Sequence, residues 1–363
     1  MLRRRLLDSL DLHVVVATLS LAAIGILAIA SATMDQTGRG GLWLTQLTWL
    51  AIALVAAVAV VSVDYHLWAE FSLLLHAGVV VLLGLVLFLG KEVGGNRSWL
   101  AVGPITFQPS ELAKWSTCLV LASYLSERGR AGVGVLQLVE MGALAGIPMG
   151  LIAAQPDMGT ALTFVPIYLA ALVLGGLRAK VLVAGTILAL LLAPVAWDHL
   201  KVYQKERILT VLNPDRDPSG IGYQVRQSKI AIGSGGLTGK GLFEGTQSRL
   251  NFLPAQHTDF VLSVVCEDLG FLGAAGVLGL FYYLLFRGIA AARSAQDRLG
   301  MYVCLLVVAW LAGQLAINVG MVLGLLPTIG VPLPLMSYGG TALLAAMSGV
   351  ALVVNVNARR FVN

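Results

Sequence analysis

Four acidic side chains lie within or beside long apolar stretches, where an ionised group is costly and therefore suggests a functional site: Glu111, Asp157, Asp259 and Glu267. Asp259 lies where a polar, basic segment gives way to apolar sequence. A carboxylate at such a boundary between water and lipid is well placed to act as a general base on a hydroxyl. Spacing alone also allows Thr258 or Asp259 to cap the helix that follows. Burial would raise the pKa of Asp259 and nearby Lys or Arg would lower it, so the sequence leaves the net direction open.

The other three acids have simpler alternative roles. Lys114 follows Glu111 by three positions, so the two share a helix face and can pair, either for packing or for function. Asp157 lies in a tight turn between two apolar segments, where capping the next helix is a sufficient role. Glu267 lies eight residues after Asp259, on nearly the same helix face and deeper, so we expect it to pair within a helix bundle.

Basic residues concentrate in one long segment, about residues 199–258. They are Lys201, Lys205, Arg207, Arg216, Arg226, Lys229, Lys240 and Arg249. A solvated loop would explain them, and so would an anionic ligand at the membrane surface.

A glycine-rich run, residues 233–241, resembles a nucleotide-binding phosphate loop but does not match it. Ser234 stands where the first glycine of that motif is required, and Gly241 follows Lys240 where Ser or Thr should be. Two interpretations remain for this run: a cradle for phosphate oxygens without nucleotide specificity, or a merely flexible re-entrant loop.

The elements that must position these groups are membrane helices. The chain has 363 residues, 58% hydrophobic and 12% charged, and roughly 20 apolar residues span a bilayer. We therefore predict an all-α polytopic membrane protein, a single membrane domain over residues 1–363. Its ten predicted transmembrane helices are 13–32, 43–62, 70–90, 109–126, 133–154, 158–177, 179–198, 259–287, 299–322 and 337–357. The N-terminus imitates a cleavable signal peptide, but its apolar run is too long and further spans follow, so a retained first helix is the simpler interpretation.

Basic residues in the termini and short connections predict the orientation, because they accumulate on the cytoplasmic side. With a cytoplasmic N-terminus, the inner ones are Arg3, Arg4, Arg5, Arg128, Arg130, Arg178, Lys180, Arg287, Arg293, Arg298, Arg359 and Arg360. The outer ones are Arg39, Lys91 and Arg97. Both termini are then cytoplasmic, and the segment 199–258 is one long outer loop. The formal charge of +5 thus reports topology and does not imply nucleic acid.

Glycines and prolines interrupt the approach to the tenth helix, from Asn318 through Gly324, Pro327 and Gly330 to residues 335–342. Non-helical backbone at membrane depth is tolerated only where it is buried in protein or lines a wet cavity. We therefore predict a cavity that opens outward.

These last residues match the signature of the SEDS (shape, elongation, division, sporulation) family of bacterial cell-wall glycosyltransferases. Further matches are Gly95 with Trp99, and residues 107–111, 155–157, 227–241, 245–248 and 253–260. The resemblance covers almost the whole chain. Residues 228–236 and 245–248 resemble the elongation branch more than the division branch. One departure is Ala255, where many relatives carry an acid, so any role of that acid is absent here or has been removed by engineering.

The resemblance implies that the chain polymerises lipid II, an undecaprenyl-pyrophosphate-linked disaccharide pentapeptide, into glycan strands during cell elongation and shape maintenance. The site would face outward from the bacterial cytoplasmic membrane, in contact with membrane lipids, and the partner would be a class B penicillin-binding protein that crosslinks the strands. Asp259 matches the family's essential aspartate. By hypothesis it deprotonates the acceptor sugar's 4-hydroxyl, which attacks the anomeric carbon of the donor as pyrophosphate leaves.

Positive charge must stabilise that leaving group, and the candidates are Arg207 and Lys240, followed by Lys114 and Lys229. The remaining substrate-binding candidates are Glu111, Asp157, Trp99, His257, Thr258 and Ser337. Trp99 could also anchor at the membrane interface. No cluster has metal-ligand spacing, although Asp259 with a pyrophosphate could hold magnesium or manganese transiently.

Two alternatives from other functional classes remain. A transporter that flips lipid-linked precursors would also need an outward cavity, but it would need polar groups in the cytoplasmic half as well. The ionisable positions within spans cluster outward, with Glu140 as the main exception, which favours the transferase. A non-enzymatic scaffold for the crosslinking partner is the third possibility.

Overall fold

The computed structural model describes residues 10–34, 38, 40–93, 96–103, 105–128, 134–213, 220–250 and 252–360. Several residues named above lie outside these described residues: Arg3, Arg4, Arg5, Arg39, Gly95, Arg130 and Arg216.

The described residues form helices joined by short connections. In chain order the helices are α1 (Leu12–Thr33), α2 (Leu42–Ser62), α3 (Tyr65–Glu70), α4 (Ser72–Leu89), α5 (Pro109–Arg128), α6 (Val135–Ala154), α7 (Met158–Leu162), α8 (Phe164–Leu174), α9 (Ala179–His199), α10 (Val202–Leu212), α11 (Ile221–Ser234), α12 (Thr246–Arg249), α13 (Val261–Ser294), α14 (Arg298–Val322) and α15 (Gly340–Ala358). Among the described residues, seven helices are long and apolar enough to cross a membrane: α1, α2, α4, α6, α13, α14 and α15.

The predicted all-α polytopic fold is confirmed, and each predicted span coincides with a helix or a helix pair. The predicted span 158–177 is divided into α7 and α8, which break at Thr163. Helix α5 is less apolar than the other spans because it carries buried polar residues, Glu111 and Lys114 among them. This polar helix is therefore positioned by the bundle around it rather than by its own hydrophobicity.

A small antiparallel sheet was not predicted. Its strands are β1 (Lys91–Val93), β2 (Asn96–Val102) and β3 (Ile105–Phe107), in the order β1-β2-β3. Lys91 pairs with Trp99, and Leu100 pairs with Phe107. Strands β1 and β3 have three residues each, too few to show an alternating pattern, and β2 has its polar residues first and its apolar residues last, so it does not alternate. Nothing in the sequence therefore distinguished these strands from a loop.

The predicted long loop contains three helices, α10, α11 and α12. Helix α11 packs against α13 and α14. The buried Ser228 hydroxyl lies 2.9 Å from the Ser263 hydroxyl and donates to the Val322 carbonyl at 2.7 Å. Much of this basic segment is therefore part of the bundle and is not a solvated loop.

The core is centred on α15, which is buried along most of its length and packs against α2, α5, α13 and α14. Helix α9 is the opposite case, because none of its described side chains is buried. In a membrane protein this leaves α9 largely surrounded by lipid, next to α10 in the chain.

The glycine-rich run 233–241 provides hydrogen-bond partners for backbone groups at a break in α13. That helix is interrupted at Gly270, whose φ is 65°. The N–H groups of Lys240 and Gly241 donate to the carbonyls of Glu267 and Asp268, both at 3.0 Å. In the other direction, the Phe271 N–H donates to the carbonyl of residue 236 at 2.9 Å. These N–H groups are occupied by protein carbonyls, which contradicts a phosphate cradle at Lys240 and Gly241; the run is also not merely flexible.

Candidate active site

A cavity of about 350 Å³ opens at the end of the bundle where α5, α7, α13 and α15 begin. It is lined by β2, by α10, by the turn before α7, by the turn before α13 and by the segment between α14 and α15. Its polar lining consists of Asn96, Ser98, Trp99, Gln108, Glu111, Asp157, Thr160, Arg207, Thr258, Asp259 and Tyr338. The irregular segment between α14 and α15, which we predicted to line a cavity, does line this one, and the cavity is open at one end.

Asp259 lies in the turn that precedes α13. The Ala255 carbonyl accepts the N–H groups of Thr258 and Asp259, both at 3.1 Å, and the Thr258 hydroxyl at 3.1 Å. Ala255 therefore closes this turn through its backbone, with φ at 52°. None of the described residues donates a hydrogen bond to the Asp259 carboxylate, so neither Thr258 nor Asp259 caps α13 through its side chain.

Burial decides the ionisation of Asp259. Removal from water raises its pKa, the nearby Asp157 carboxylate raises it as well, and the Arg207 guanidinium lowers it; together they raise the pKa to about 6. The direction that the sequence left open is therefore upward. Such a carboxylate is still mostly ionised at neutral pH, and it is a stronger base than an exposed aspartate.

Asp157 is held much more tightly than Asp259. Its carboxylate accepts the Thr160 N–H at 3.1 Å, the Thr160 hydroxyl at 2.9 Å and the Gln108 side-chain amide at 3.1 Å. It caps α7, as its position in the sequence suggested. Burial raises the pKa of Asp157 against the opposing effect of the Thr160 hydrogen bonds. Asp157 is thus both a helix cap and part of the cavity wall.

Glu111 and Lys114 form a buried ion pair beneath the cavity. The Lys114 ammonium lies 2.8 Å from Glu111 Oε1 and donates to Gln314 Oε1 at 3.1 Å. Glu111 lines the cavity, whereas Lys114 is 1% exposed and does not. The candidate role of Lys114 in binding pyrophosphate is therefore not supported; it neutralises Glu111 instead.

Of the basic candidates for an anionic leaving group, Arg207 lines the cavity. Lys240 instead pairs with the fully buried Glu267 at 2.7 Å, which accounts for the expected pairing of Glu267. Lys229 is exposed on α11 and packs beside Gly324. The structure therefore does not bring Lys240 or Lys229 to the cavity.

Three further candidates lie at or next to the cavity. Trp99 lines it from β2. The His257 ring contacts the Tyr338 ring, with their centroids 5.6 Å apart. Ser337 accepts the Leu333 N–H at 2.7 Å and donates to the Thr258 carbonyl at 2.5 Å. His257 and Ser337 thus brace the wall from behind and do not line it.

Buried amides on spanning helices also hold the cavity wall, and the sequence did not predict them as site residues. Gln46 donates to the Ser337 carbonyl and accepts the Gly339 N–H, both at 3.1 Å. Gln314 donates to the Pro332 carbonyl at 2.9 Å. A lone Gln in an otherwise apolar span was the available signal, because such a residue needs a polar partner inside the bundle.

Among the described residues, no group of three His, Cys, Asp or Glu side chains could hold a metal ion by itself. Glu111, Asp157 and Asp259 nevertheless line one cavity, and carboxylate oxygens are the donors that Mg²⁺ and Mn²⁺ prefer. The donor set fits a divalent cation only if a ligand supplies further oxygens.

Comparisons with known proteins agree with this architecture. A family model for FtsW, RodA and SpoVE, described as cell cycle protein, matches residues 12–361. The chain is 36% identical over 358 residues to the peptidoglycan glycosyltransferase MrdB of Escherichia coli K12, covering 97% of this chain and 94% of MrdB. It superposes on a chain from a peptidoglycan synthase complex, described as coordinating polymerization and crosslinking, with TM-score 0.84 and 32% identity, covering 98% and 99% of the two chains. The rod shape determining protein RodA of Thermus thermophilus gives TM-score 0.73 at 28% identity, covering 98% of each chain.

Proposed function

This chain belongs to the FtsW/RodA/SpoVE family, the SEDS family whose motifs it carries, and we propose that it polymerises lipid II with Asp259 as general base. It is a peptidoglycan glycosyltransferase, as its relatives are. We also propose a role in cell elongation, because residues 228–236 and 245–248 resemble the elongation branch of the family.

The contrast between the two aspartates supports Asp259 as the base. The Asp157 carboxylate already accepts three hydrogen bonds, while none of the described residues donates one to Asp259. A carboxylate with unoccupied lone pairs can receive a proton from a bound hydroxyl. Its pKa of about 6 is close to the neutral range in which a general base works best.

The proposed step is a direct displacement. The acceptor sugar's 4-hydroxyl gives its proton to Asp259, and its oxygen forms a bond with the donor's anomeric carbon. The bond from that carbon to the undecaprenyl pyrophosphate breaks, and the configuration inverts. Arg207 is the cavity's guanidinium, suited to stabilise the pyrophosphate as its negative charge increases.

The distribution of charge supports an outward-facing site. Helices α13 and α15 both begin at the cavity end, so Arg287 and Arg359 near their C-termini lie at the opposite end. Arg287 pairs there with Asp11 at 2.5 Å, and Arg359 pairs with Asp64 at 3.1 Å. By the positive-inside rule, these arginines support the proposal that this end faces the cytoplasm of a bacterium. The residues that line the cavity lie at one end of the bundle, whereas a flippase would also need polar groups in the other half. This distribution favours a transferase over a flippase.

We propose a class B penicillin-binding protein as partner, because the similar chain of the synthase complex comes from an assembly that both polymerises and crosslinks. A divalent cation shared between the cavity carboxylates and the pyrophosphate is a second proposal. When bound, such an ion would neutralise charge on the leaving group.

The test is glycan-strand formation from purified lipid II in liposomes containing this chain and the crosslinking partner. We expect polymer from the parent chain and none from Asp259→Asn. Arg207→Gln should be slow, whereas the matched control Lys229→Gln, on an exposed side chain away from the cavity, should retain the parent rate. Polymer from Asp259→Asn would remove Asp259 as the base. Movement of lipid II across the bilayer without polymer would favour the transporter. A polymerisation rate that is undiminished after chelation of divalent cations would overturn the proposed role of the cation.

A further inference from the structure

The segment between α14 and α15 touches both turns that carry the cavity aspartates. On one side, Gly159 at the start of α7 packs so closely that a Cβ there would overlap the Ile329 carbonyl oxygen. On the other side, Gly330 has φ at 73°, and a Cβ on it would lie 3.5 Å from Asp259 Oδ2. Residues 329–331 are therefore a spacer between the turn of Asp157 and the turn of Asp259.

One buried amide ties this spacer to Asp259. Asn318, which is 0% exposed, donates from Nδ2 to the Asp259 carbonyl at 2.9 Å and to the Val331 carbonyl at 2.7 Å. Two carbonyl oxygens require a donor, so the orientation of this amide is fixed by its partners. Gln314, one turn earlier on α14, holds the neighbouring Pro332 carbonyl at 2.9 Å.

We propose that Asn318 is a positioning residue for glycan polymerisation, which fixes Asp259 relative to Asp157 by binding both Asp259 and the spacer 329–331. The inference rests on the proposed role of Asp259 as base. Asn318 is buried behind the backbone that it binds and does not line the cavity, so it acts through Asp259 and not on the substrate.

The electrostatics of the site depend on this separation. The charged and titratable groups around Asp259 are Asp157 before α7, Arg207 on α10, Glu111 with Lys114 on α5, and the rings of His257 and Tyr338. Burial and the Asp157 charge raise the pKa of Asp259, and Arg207 lowers it. A displacement of Asp259 toward water and away from Asp157, after its release from the spacer, would lower its pKa because it weakens both effects that raise it.

The experiment compares Asn318→Leu with Asn355→Leu as matched control. Asn355 is also 0% exposed and also bridges two carbonyls, those of Val60 and Val63, both at 2.6 Å, but at the opposite end of the bundle. We expect Asn318→Leu to lower kcat for lipid II polymerisation by about 100-fold, the cost of a misplacement of about 1 Å, with KM little changed. The acidic limb of its pH profile should move to lower pH. Asn355→Leu should keep both kcat per folded molecule and the pH profile of the parent.

Two further variants keep the test decisive if Asn318→Leu folds poorly. Asn318→Ser retains one donor for one of the two carbonyls and should give an intermediate kcat. Gly159→Ala pushes on the spacer from the Asp157 side and should also change the pH profile. An unchanged kcat in Asn318→Leu, a loss equal to that of Asn355→Leu, or a higher KM at constant kcat would overturn the positioning role. Absence of polymer from the parent chain would instead count against the proposed function.

Discussion

Replacing Asp259 by Asn should stabilise the protein while abolishing polymerisation. The ordinary pKa of an aspartate is 3.8, and burial raises that of Asp259 to about 6. This difference means that the folded protein resists ionisation of this carboxyl, at a cost of about 3 kcal/mol once it is ionised. Asn has a similar shape and no charge, so it removes this cost.

The sign of the pH dependence follows from the raised pKa. Below pH 3.8 the carboxyl is protonated in both the folded and the unfolded states, and the cost is absent. As pH rises through the window from 3.8 to about 6, the unfolded chain releases its proton first, and the parent protein loses stability. The advantage of Asp259→Asn should therefore be about 3 kcal/mol at pH 8 and about half of that at pH 5.

Thermal unfolding in detergent at these two pH values measures the effect. The control is Asp198→Asn, an exposed carboxylate on α9, for which we expect a change of no more than about 0.5 kcal/mol. An Asp259→Asn variant that is no more stable than the parent at pH 8, or whose advantage is the same at both pH values, would refute the argument that burial controls this carboxyl.

Three further predictions follow from the same contacts. The polymerisation rate should rise as pH passes upward through about 6, since Asp259 must lose its proton to act as a base. Arg207→Gln should move this rise to higher pH in a rate–pH profile, because the Arg207 guanidinium lowers the pKa of Asp259. A rise at an unchanged pH would contradict the electrostatic effect of Arg207 on Asp259. Lys114→Met should destabilise by about 3–5 kcal/mol because it leaves Glu111 buried without its cation; thermal unfolding should show recovery when Glu111→Gln is added, and no recovery would contradict the pairing argument. Gly270→Ala should lower the yield of folded protein, measured by size-exclusion chromatography, because a Cβ there would overlap the glycine-rich run, whereas Gly276→Ala in open space should not.

The helices could be predicted because apolar length is a direct requirement of the bilayer. The structure of the segments between the spans was not predicted. Strands β1 and β3 are short, and helices α10 and α11 are too polar to resemble membrane spans, so hydropathy does not distinguish these elements from loop. Their placement depends on contacts distant in sequence, such as Ser228 with Ser263 and Val322.

The site residues divide in a similar way. Asp157, Asp259 and Glu111 were identifiable because a carboxylate near lipid needs a reason to be there, and all three line the cavity. Arg207 and Lys240 were indistinguishable in sequence, since both are basic residues of one polar segment. Only the path of the chain decides that Arg207 faces the cavity while Lys240 pairs with Glu267.

The break at Gly270 has a consequence for how the protein is assembled in the membrane. Most spanning helices satisfy their own backbone and can insert as independent units. Helix α13 does not, because residues 233–241 provide hydrogen bonds on both sides of its break. Unsatisfied backbone groups in hydrocarbon cost several kcal/mol each. In the proposed orientation, that run is synthesised before α13 and crosses to the cavity side first, so the part of α13 next to the cavity can complete its fold against a segment that has already been translocated.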